Sequence, residues 1–200
     1  MYKHFFKRVI DFTLSLLALL VIWPILLVIY IWLTIANKGA GALFYQERPG
    51  LHGKIFKVIK FKTMTDERDA EGNLLPDADR LTKVGRFVRS TSIDELPQLI
   101  NVLIGDMSFV GPRPEVADYV ELYTPYQRQV LQVRPGITGL ASIRFRNEND
   151  LLTASDDPNR TYIEQIMPKK IELDLEYIPH ASVFYDIKLI FQTFAVVIKE

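Results

Sequence analysis

The chain has 200 residues, 24 basic and 24 acidic side chains, and no cysteine. The balanced charge lacks the basic signature of a nucleic-acid-binding protein, and the absence of cysteine excludes disulfides, thiolate metal sites and cysteine nucleophiles. The three histidines are scattered and do not have the spacing of a helical metal site. This length predicts one domain with its own core, together with room for an appended segment.

An apolar segment dominates the N-terminal part of the sequence. Residues 1–11 form a basic amphipathic lead that suits a membrane surface carrying anionic lipid. Phe12–Asn37 then runs for 26 residues without a charge. As a helix this run reaches roughly 39 Å, more than the ~30 Å of a hydrocarbon core, and it is longer than the apolar part of a signal peptide. We predict a retained membrane element, and a hydrophobic core helix is the alternative.

Pro24 lies near the middle of this apolar segment. Proline has no backbone N–H and its ring clashes with the preceding helical turn, so it kinks or breaks a helix. Each half of the segment, Phe12–Trp23 and Pro24–Asn37, spans roughly 18–21 Å as a helix. Two interpretations stay open from the residues alone: a kinked helix that spans the membrane, or a hairpin that enters one leaflet and returns.

Residues 38–200 predict a helix-rich α+β domain with little sheet. Residues 42–48 and 54–64 are rich in β-branched and aromatic side chains, which predicts two paired strands. A charged loop follows, and residues 108–116 predict a constrained loop. Amphipathic helices, which pack on a core or lie on the bilayer, are predicted within residues 82–107, 119–133, 159–178 and 182–200.

The densest group of chemically useful residues is RFVRSTSIDELPQL, residues 86–99. Asp94 and Glu95 are adjacent carboxylates close to a predicted helix start. Ser92 with Glu95 fits a capping box. Asp94 fits an N-cap instead, with Pro97 at a position where no intrahelical hydrogen bond is lost. A well-built helix N-terminus is therefore the structural alternative to a catalytic pair.

Arginines surround this pair along the sequence. The planar guanidinium group binds phosphate through several donors. Mg²⁺ prefers one or two carboxylates together with phosphate oxygens, and an ionised aspartate can attack phosphorus directly. No P-loop or dinucleotide-binding glycine pattern is present. The pattern favours metal-assisted phosphate chemistry, with candidate phosphate-binding arginines at Arg86, Arg89, Arg113, Arg134 and Arg146.

Three longer motifs occur in order: YQERPGLHGKIFKVIKFKTM (45–64), LTKVGRFVRSTSIDELPQLINVLIGDMSFVGPRPE (81–115) and RPGITGLA (134–141). Together with the apolar segment they resemble the bacterial monotopic phosphoglycosyl transferases, of the small type that consists of the minimal catalytic domain. The resemblance implies a re-entrant membrane helix within residues 1–37, broken at Pro24. It also implies a catalytic domain over residues 38–200, with a small β-hairpin and interfacial amphipathic helices, on the cytoplasmic face of the bacterial inner membrane.

The resemblance also implies a reaction. Such enzymes transfer a sugar-1-phosphate from a UDP-sugar to undecaprenyl phosphate, release UMP and use Mg²⁺. This is the first membrane step of glycoprotein or polysaccharide assembly. The mechanism is ping-pong, through a covalent aspartyl phospho-sugar. The expected donor carries an N-acetylated sugar, with UDP-N,N'-diacetylbacillosamine as one candidate, and galactose and N-acetylgalactosamine donors stay open.

Carried onto this sequence, the resemblance implies that Asp94 is the nucleophile and a Mg²⁺ contact, with Glu95 in support. Lys60 matches the lysine of the family's KF(R/K)TM strand, Arg113 the arginine of its PRP motif, and Arg146 an arginine after TG. These three residues are expected to hold phosphate or nucleotide groups.

The sequence departs from the family's pattern at two positions. Trp23 precedes Pro24 where serine is common, and indole cannot accept or replace a backbone hydrogen bond as a hydroxyl can. Lys62 stands where arginine is common, which changes a forked contact into a point charge.

Two other classes of protein are alternatives to the enzyme. A non-catalytic membrane-surface scaffold of a glycan assembly complex would use Asp94 and Glu95 only to cap a helix. A bitopic protein would carry its domain on the outer face, beyond a spanning helix. Basic residues flank the apolar segment on both sides, so they give no clear orientation.

Overall fold

The computed structural model of the chain describes residues 2–197 and has the helix-rich α+β architecture that the sequence predicts. One long helix, α1, is followed by short helices and two small sheets. The helices are α1 Lys7–Ala36, α2 Asp77–Arg80, α3 Lys83–Ser90, α4 Gln98–Ile104, α5 Ala117–Glu121, α6 Leu140–Arg144, α7 Glu148–Thr153, α8 Pro158–Thr161, α9 Met167–His180 and α10 Val183–Val197. Tyr2–Phe6 and Tyr162–Ile166 are π-helical turns.

The predicted hairpin is confirmed. β1, Leu43–Pro49, pairs antiparallel with β2, Ile55–Phe61, in a register from Leu43 opposite Phe61 to Pro49 opposite Ile55. A short 3₁₀ turn connects the two strands. β2 alternates between an inner face, which includes Phe56 and Val58, and an outer face, so that Lys60 is on the inner side.

A second, parallel pair of strands lies where the sequence predicts only a constrained loop. β3, Ser108–Val110, pairs with β4, Gly136–Thr138. Gly111, directly after β3, and Gly136, the first residue of β4, bring two backbones into direct contact: a Cβ on Gly136 would lie 2.1 Å from the amide nitrogen of Gly111. No side chain fits at this crossing, so glycine is required. The crossing holds the GPRPE loop against the RPGITG motif.

α1 is a single helix of 30 residues with Pro24 inside it. The two segments that are predicted on either side of a break at Pro24 form one continuous helix in this structure. Proline removes one hydrogen bond and forces a local bend, but the helix can continue on both sides of it. The re-entrant course of this segment through a membrane stays a prediction.

Both ends of α1 contact the same folded body. Near the N-terminal end, the Arg8 guanidinium donates to the carbonyls of Val102 and Leu103, each at 2.6 Å, and the amide of Phe109 donates to the Asp11 carboxylate at 3.2 Å. At the C-terminal end, Leu33 is fully buried in an apolar cluster. The buried residues of the helix, Asp11, Ser15, Ile29 and Leu33, are four or about fourteen positions apart and therefore share one face.

The core between α4 and β2 fixes the position of the residues described next. Asn101 is buried and accepts a hydrogen bond from the amide of Ile59 at 3.0 Å, while its own amide donates to the carbonyl of Lys57 at 2.8 Å. A buried side chain that satisfies both backbone groups of a strand cannot shift without leaving polar groups unpaired. Asn101 therefore locks α4 to β2 in one register.

Candidate active site

A cluster of three charged side chains joins three distant parts of the sequence. Lys60 on β2 donates to Oε1 of Glu95 at 2.8 Å, and Arg113 in the GPRPE loop donates to the same oxygen at 2.7 Å. The side chains of Lys60 and Glu95 are 23% and 21% exposed, so the cluster is open on one side only. The structure thus brings together three of the residues that the sequence predicts for the site.

The backbone around the carboxylates is not a capped helix start. Ser92 has a left-handed conformation, with φ of 56°, and makes no capping hydrogen bond. Ile93–Glu95 forms a 3₁₀ turn, and α4 begins only after Pro97. Both capping interpretations are therefore wrong, because the Glu95 side chain is bound by two cations instead of a helix terminus. A non-glycine residue at positive φ is uncommon and is often found at functional sites.

The two adjacent carboxylates have opposite electrostatic environments. Burial and the neighbouring charge of Glu95 raise the pKa of Asp94 to about 6, although Lys60 and Arg89 act in the other direction. Burial would also raise the pKa of Glu95, but the charges of Arg113 and Lys60, and the hydrogen bonds from both, outweigh it and lower the value to about 2. Glu95 is thus held ionised, while Asp94 titrates close to neutral pH.

This difference separates the roles that the pair can play. Adjacent titratable groups with divergent pKa values are typical of active sites. Glu95 already accepts hydrogen bonds from two cations, so its role is to hold Lys60 and Arg113 in position. Asp94 has a carboxylate whose negative charge is only partly compensated, which is the state of a group ready to bind a cation or an electrophilic phosphorus.

A divalent cation fits at Asp94 only together with a ligand. Among residues 2–197, no three His, Asp or Glu side chains converge in a ready-made metal site. Mg²⁺ commonly binds through one or two carboxylates and completes its shell with water and phosphate oxygens. The partly compensated Asp94 carboxylate suits such an ion, and Glu95 beside it is already occupied by Lys60 and Arg113.

The remaining predicted arginines lie in different places. Arg89 lies close enough to Asp94 to lower its pKa. Arg134 donates to the carbonyl of Gly105 at 2.7 Å and so fastens the turn after α4. Arg146 lies half-buried in the turn after α6. Its role as a phosphate-binding residue stays a prediction.

A cleft of about 500 Å³ adjoins the cluster, with Arg113 in its wall. Two residues in that wall have no role predicted from the sequence: Arg48 and Glu115 form an ion pair at 3.3 Å. The sequence could have indicated both residues, because each lies inside a motif that carries the family resemblance. Glu115 also accepts a hydrogen bond from the Tyr162 hydroxyl, a contact across 47 residues that no local pattern reveals.

Comparison with known proteins agrees with these motifs. A family model described as bacterial sugar transferase matches residues 2–200. The uncharacterized sugar transferase EpsL of Bacillus subtilis (strain 168) is 46% identical over 184 residues, which are 92% of this chain and 83% of that protein.

Two relatives whose names state their substrates are longer than this chain. The UDP-glucose:undecaprenyl-phosphate glucose-1-phosphate transferase of Klebsiella pneumoniae is 43% identical over 194 residues, 94% of this chain and 39% of that protein. The undecaprenyl-phosphate galactose phosphotransferase of Salmonella typhimurium is 34% identical over 214 residues, 98% of this chain and 41% of that protein. This chain spans about two fifths of the length of these two proteins. The match over the full described length, with the charged cluster at its centre, shows that the chain belongs to the bacterial sugar transferase family.

Proposed function

We propose that this protein transfers a sugar-1-phosphate from a UDP-sugar to undecaprenyl phosphate and releases UMP. The observation that carries the proposal is the convergence of Lys60 and Arg113 on Glu95, directly beside an Asp94 carboxylate that titrates near neutral pH. The Klebsiella and Salmonella relatives, a UDP-glucose:undecaprenyl-phosphate glucose-1-phosphate transferase and an undecaprenyl-phosphate galactose phosphotransferase, support the same class of reaction.

In the proposed first step, a carboxylate oxygen of Asp94 attacks the β-phosphorus of the donor. An O–P bond forms, the bond from this phosphorus to the bridging oxygen breaks, and UMP leaves with that oxygen and the electron pair. Negative charge must be neutralised for an anion to approach a diphosphate. Lys60 and Arg113 both bind the neighbouring Glu95, which holds these cations in place, and the charge of Lys60 also acts on the Asp94 carboxylate. Mg²⁺, when bound through Asp94, would neutralise further diphosphate charge.

In the proposed second step, a phosphate oxygen of undecaprenyl phosphate attacks the same phosphorus. The aspartyl O–P bond breaks, so Asp94 is restored as a carboxylate and the lipid carries a diphosphate-linked sugar. The released group is the Asp94 carboxylate, and its moderately raised pKa still leaves it mostly ionised at pH 7. One phosphorus centre therefore serves both half-reactions in turn, as a ping-pong mechanism requires.

The membrane element is proposed to be re-entrant, with the catalytic domain on the cytoplasmic face of the inner membrane. A spanning helix would put its ends on opposite sides, whereas both ends of α1 bind one body. Residues 16–28, between these contacts, are mostly exposed and apolar. They cover only about 20 Å as a helix, less than the ~30 Å of the hydrocarbon core.

A second apolar surface supports the same orientation. Phe184, Phe191 and Phe194 on α10 are 86%, 69% and 61% exposed. Their spacing of seven and three residues places them on one face of the helix. A helix with exposed phenylalanines on one face is typical of a helix that lies in the lipid interface. We therefore assign α10 to the interfacial helices of the protein.

The proposed reaction is tested with purified protein, Mg²⁺ and undecaprenyl phosphate. The donors are UDP-glucose, UDP-galactose, UDP-N-acetylglucosamine, UDP-N-acetylgalactosamine and UDP-N,N'-diacetylbacillosamine. We expect at least one donor to give UMP and lipid-linked diphosphosugar in equal amounts, with loss of both when the metal is chelated. Release of UDP in place of UMP would show transfer of the sugar without its phosphate and contradict the proposal. A scaffold protein would release neither nucleotide from any donor.

Membrane topology is tested by cysteine labelling, for which the cysteine-free chain is a clean background. Single variants His4→Cys and His52→Cys are treated in intact cells with a membrane-impermeant maleimide. A re-entrant element predicts that both positions are protected in intact cells and both react after lysis. A control cysteine in a periplasmic protein of the same cells must react in both conditions. Labelling of only one of the two positions in intact cells would instead show a spanning helix.

A further inference from the structure

The cleft beside the charged cluster is lined by residues that have no role in the proposed chemistry at Asp94. We name it the lateral cleft. Its volume is about 500 Å³, within the usual range for small-molecule sites. Polar and aromatic side chains line it, and those on which the argument rests are Arg48, Glu115, Tyr119, Glu148, Tyr162 and Lys170.

The lateral cleft meets the charged cluster at Arg113. Arg113 lies in its wall and also donates to Glu95 at 2.7 Å. Glu95 and, more weakly, Glu115 and Glu148 raise the pKa of Arg113, so these two carboxylates of the cleft lie near the same guanidinium. A group attached to a phosphate held at Arg113 would therefore extend into this cleft.

The charges in the lateral cleft are paired with one another. Arg48 pairs with Glu115 at 3.3 Å, and Lys170 pairs with Glu148 at 2.7 Å. Arg113 instead pairs with Glu95 of the charged cluster, where the β-phosphate of the donor is proposed to bind. Apart from Arg113, the cleft has two cations and two carboxylates, joined in pairs, so it offers no second unpaired cation for the phosphate of UMP. These two pairs offer both acceptors and donors, which suits a neutral ligand with many hydroxyl groups.

The aromatic residues complete this pattern. The rings of Tyr119 and Tyr162 lie 4.8 Å apart at an angle of 44°, and both line the cleft. The hydroxyl of Tyr119 is engaged by Asn159 at 2.9 Å, and that of Tyr162 by Glu115. Tyr162 is only 6% exposed, and the Lys170 ammonium lies 5.2 Å from the centroid of its ring. The half-buried ring of Tyr119 therefore presents the apolar surface to the cleft. The C–H face of a sugar ring packs on such a surface while its hydroxyls reach the charged groups.

We propose that the lateral cleft binds the hexose of the UDP-sugar donor and sets its identity. The inference rests on the proposed function, because it requires a donor whose β-phosphate reacts at Asp94. The uridine portion then lies on another side of the charged cluster. Uracil offers two carbonyl acceptors and a single N–H donor, so it suits a site with two carboxylates less well than a hexose does.

The test compares donors and nucleotide in two cleft variants, Tyr119→Leu and Glu148→Gln. Initial rates of lipid-linked diphosphosugar formation are measured with UDP-glucose, UDP-galactose and UDP-N-acetylglucosamine. UMP is added as an inhibitor at saturating undecaprenyl phosphate, where reversal of the first half-reaction is suppressed and UMP competes with the donor for the free enzyme. We expect kcat/KM for the best donor to fall about tenfold to a hundredfold. The ratio of kcat/KM between donors should change at least fivefold, while the inhibition constant of UMP should stay within twofold. Thermal unfolding is recorded for each variant.

The matched control is Glu164→Gln, which breaks an exposed ion pair with Arg160 on the neighbouring turn and should leave all ratios unchanged. An inhibition constant for UMP that rises as much as the donor KM would assign the cleft to the nucleotide and overturn the inference. An equal loss for all donors, with unchanged ratios, would also overturn it. If the unaltered protein releases no UMP from any donor, the proposed function fails, and the inference fails with it.

Discussion

Asp94→Asn is expected to abolish UMP release from the donor, even in the absence of undecaprenyl phosphate. The amide keeps the shape of the side chain but cannot form the O–P bond of the first half-reaction. Loss of a nucleophile commonly lowers the rate by about four to six orders of magnitude. The measurement is single-turnover UMP release with enzyme in excess over donor, because only this first half-reaction involves Asp94 as the attacking group.

The stability of the same variant separates lost chemistry from lost structure. Asp94 has a folded-state pKa of about 6, above its ordinary value of 3.8. Its contribution to stability is therefore complete below pH 3.8 and is lost as the pH rises through 6. The neutral asparagine avoids the destabilisation caused by an ionised, buried Asp94 beside Glu95. The melting temperature of Asp94→Asn at pH 7.5 should therefore not fall below that of the unaltered protein. Asp118→Asn, on the exposed side of α5, is the control. Rapid UMP release by Asp94→Asn, with the same metal dependence, would reject Asp94 as the nucleophile.

Replacing Glu95 and Lys60 should shift the acid limb of the pH–rate profile in opposite directions. The unaltered enzyme should lose kcat/KM for the donor as the pH falls through about 6, because Asp94 becomes protonated. Glu95→Gln removes a like charge that raises the pKa of Asp94, so the limb should move to lower pH. Lys60→Met removes a cation that lowers this pKa, so the limb should move to higher pH.

Both variants should also lower the plateau rate, by about a hundredfold to a thousandfold. Lys60→Met removes one of the two cations, and Glu95→Gln removes the carboxylate that holds both cations in place. The controls are Glu47→Gln and Lys57→Met, which make the same two chemical changes elsewhere on the hairpin. Glu47 and Lys57 are exposed and lie opposite each other on β1 and β2. Shifts in the same direction for both cluster variants would contradict the assignment of the acid limb to Asp94. A change of rate without any shift would do so as well.

The hairpin and the long apolar helix could be predicted because each has a strong local signal. Alternating β-branched and aromatic residues indicate β1 and β2, and 26 residues without a charge indicate α1. The family motifs also identified Lys60, Glu95 and Arg113, and the structure places Lys60 and Arg113 within hydrogen-bonding distance of Glu95. The spacing of these residues along the chain could not show that convergence, because the β2–α4 contact through Asn101 creates it.

Other features depend on contacts that local patterns do not encode. Three-residue strands such as β3 and β4 are too short for an alternation to be recognised. Ser92 and Glu95 have the spacing of a capping box, but two distant cations bind the glutamate and a left-handed serine precedes the turn. Tertiary ion pairing here outweighs a local preference that is worth only about 1 kcal/mol. Pro24 predicts a kink or a break, but the structure has one continuous helix through it.

The contact between Arg8 and α4 has a consequence for the dimensions of the molecule. α4 has seven residues and is about 10 Å long. Arg8 binds the carbonyls near its C-terminal end, and the turn that carries Asp94 and Glu95 leads into its N-terminal end. α4 thus connects the N-terminal end of α1 to the turn that carries the two carboxylates. The distance from the apolar segment to the two carboxylates is therefore fixed by the protein. In the proposed reaction, a lipid phosphate has to cover that distance to reach Asp94.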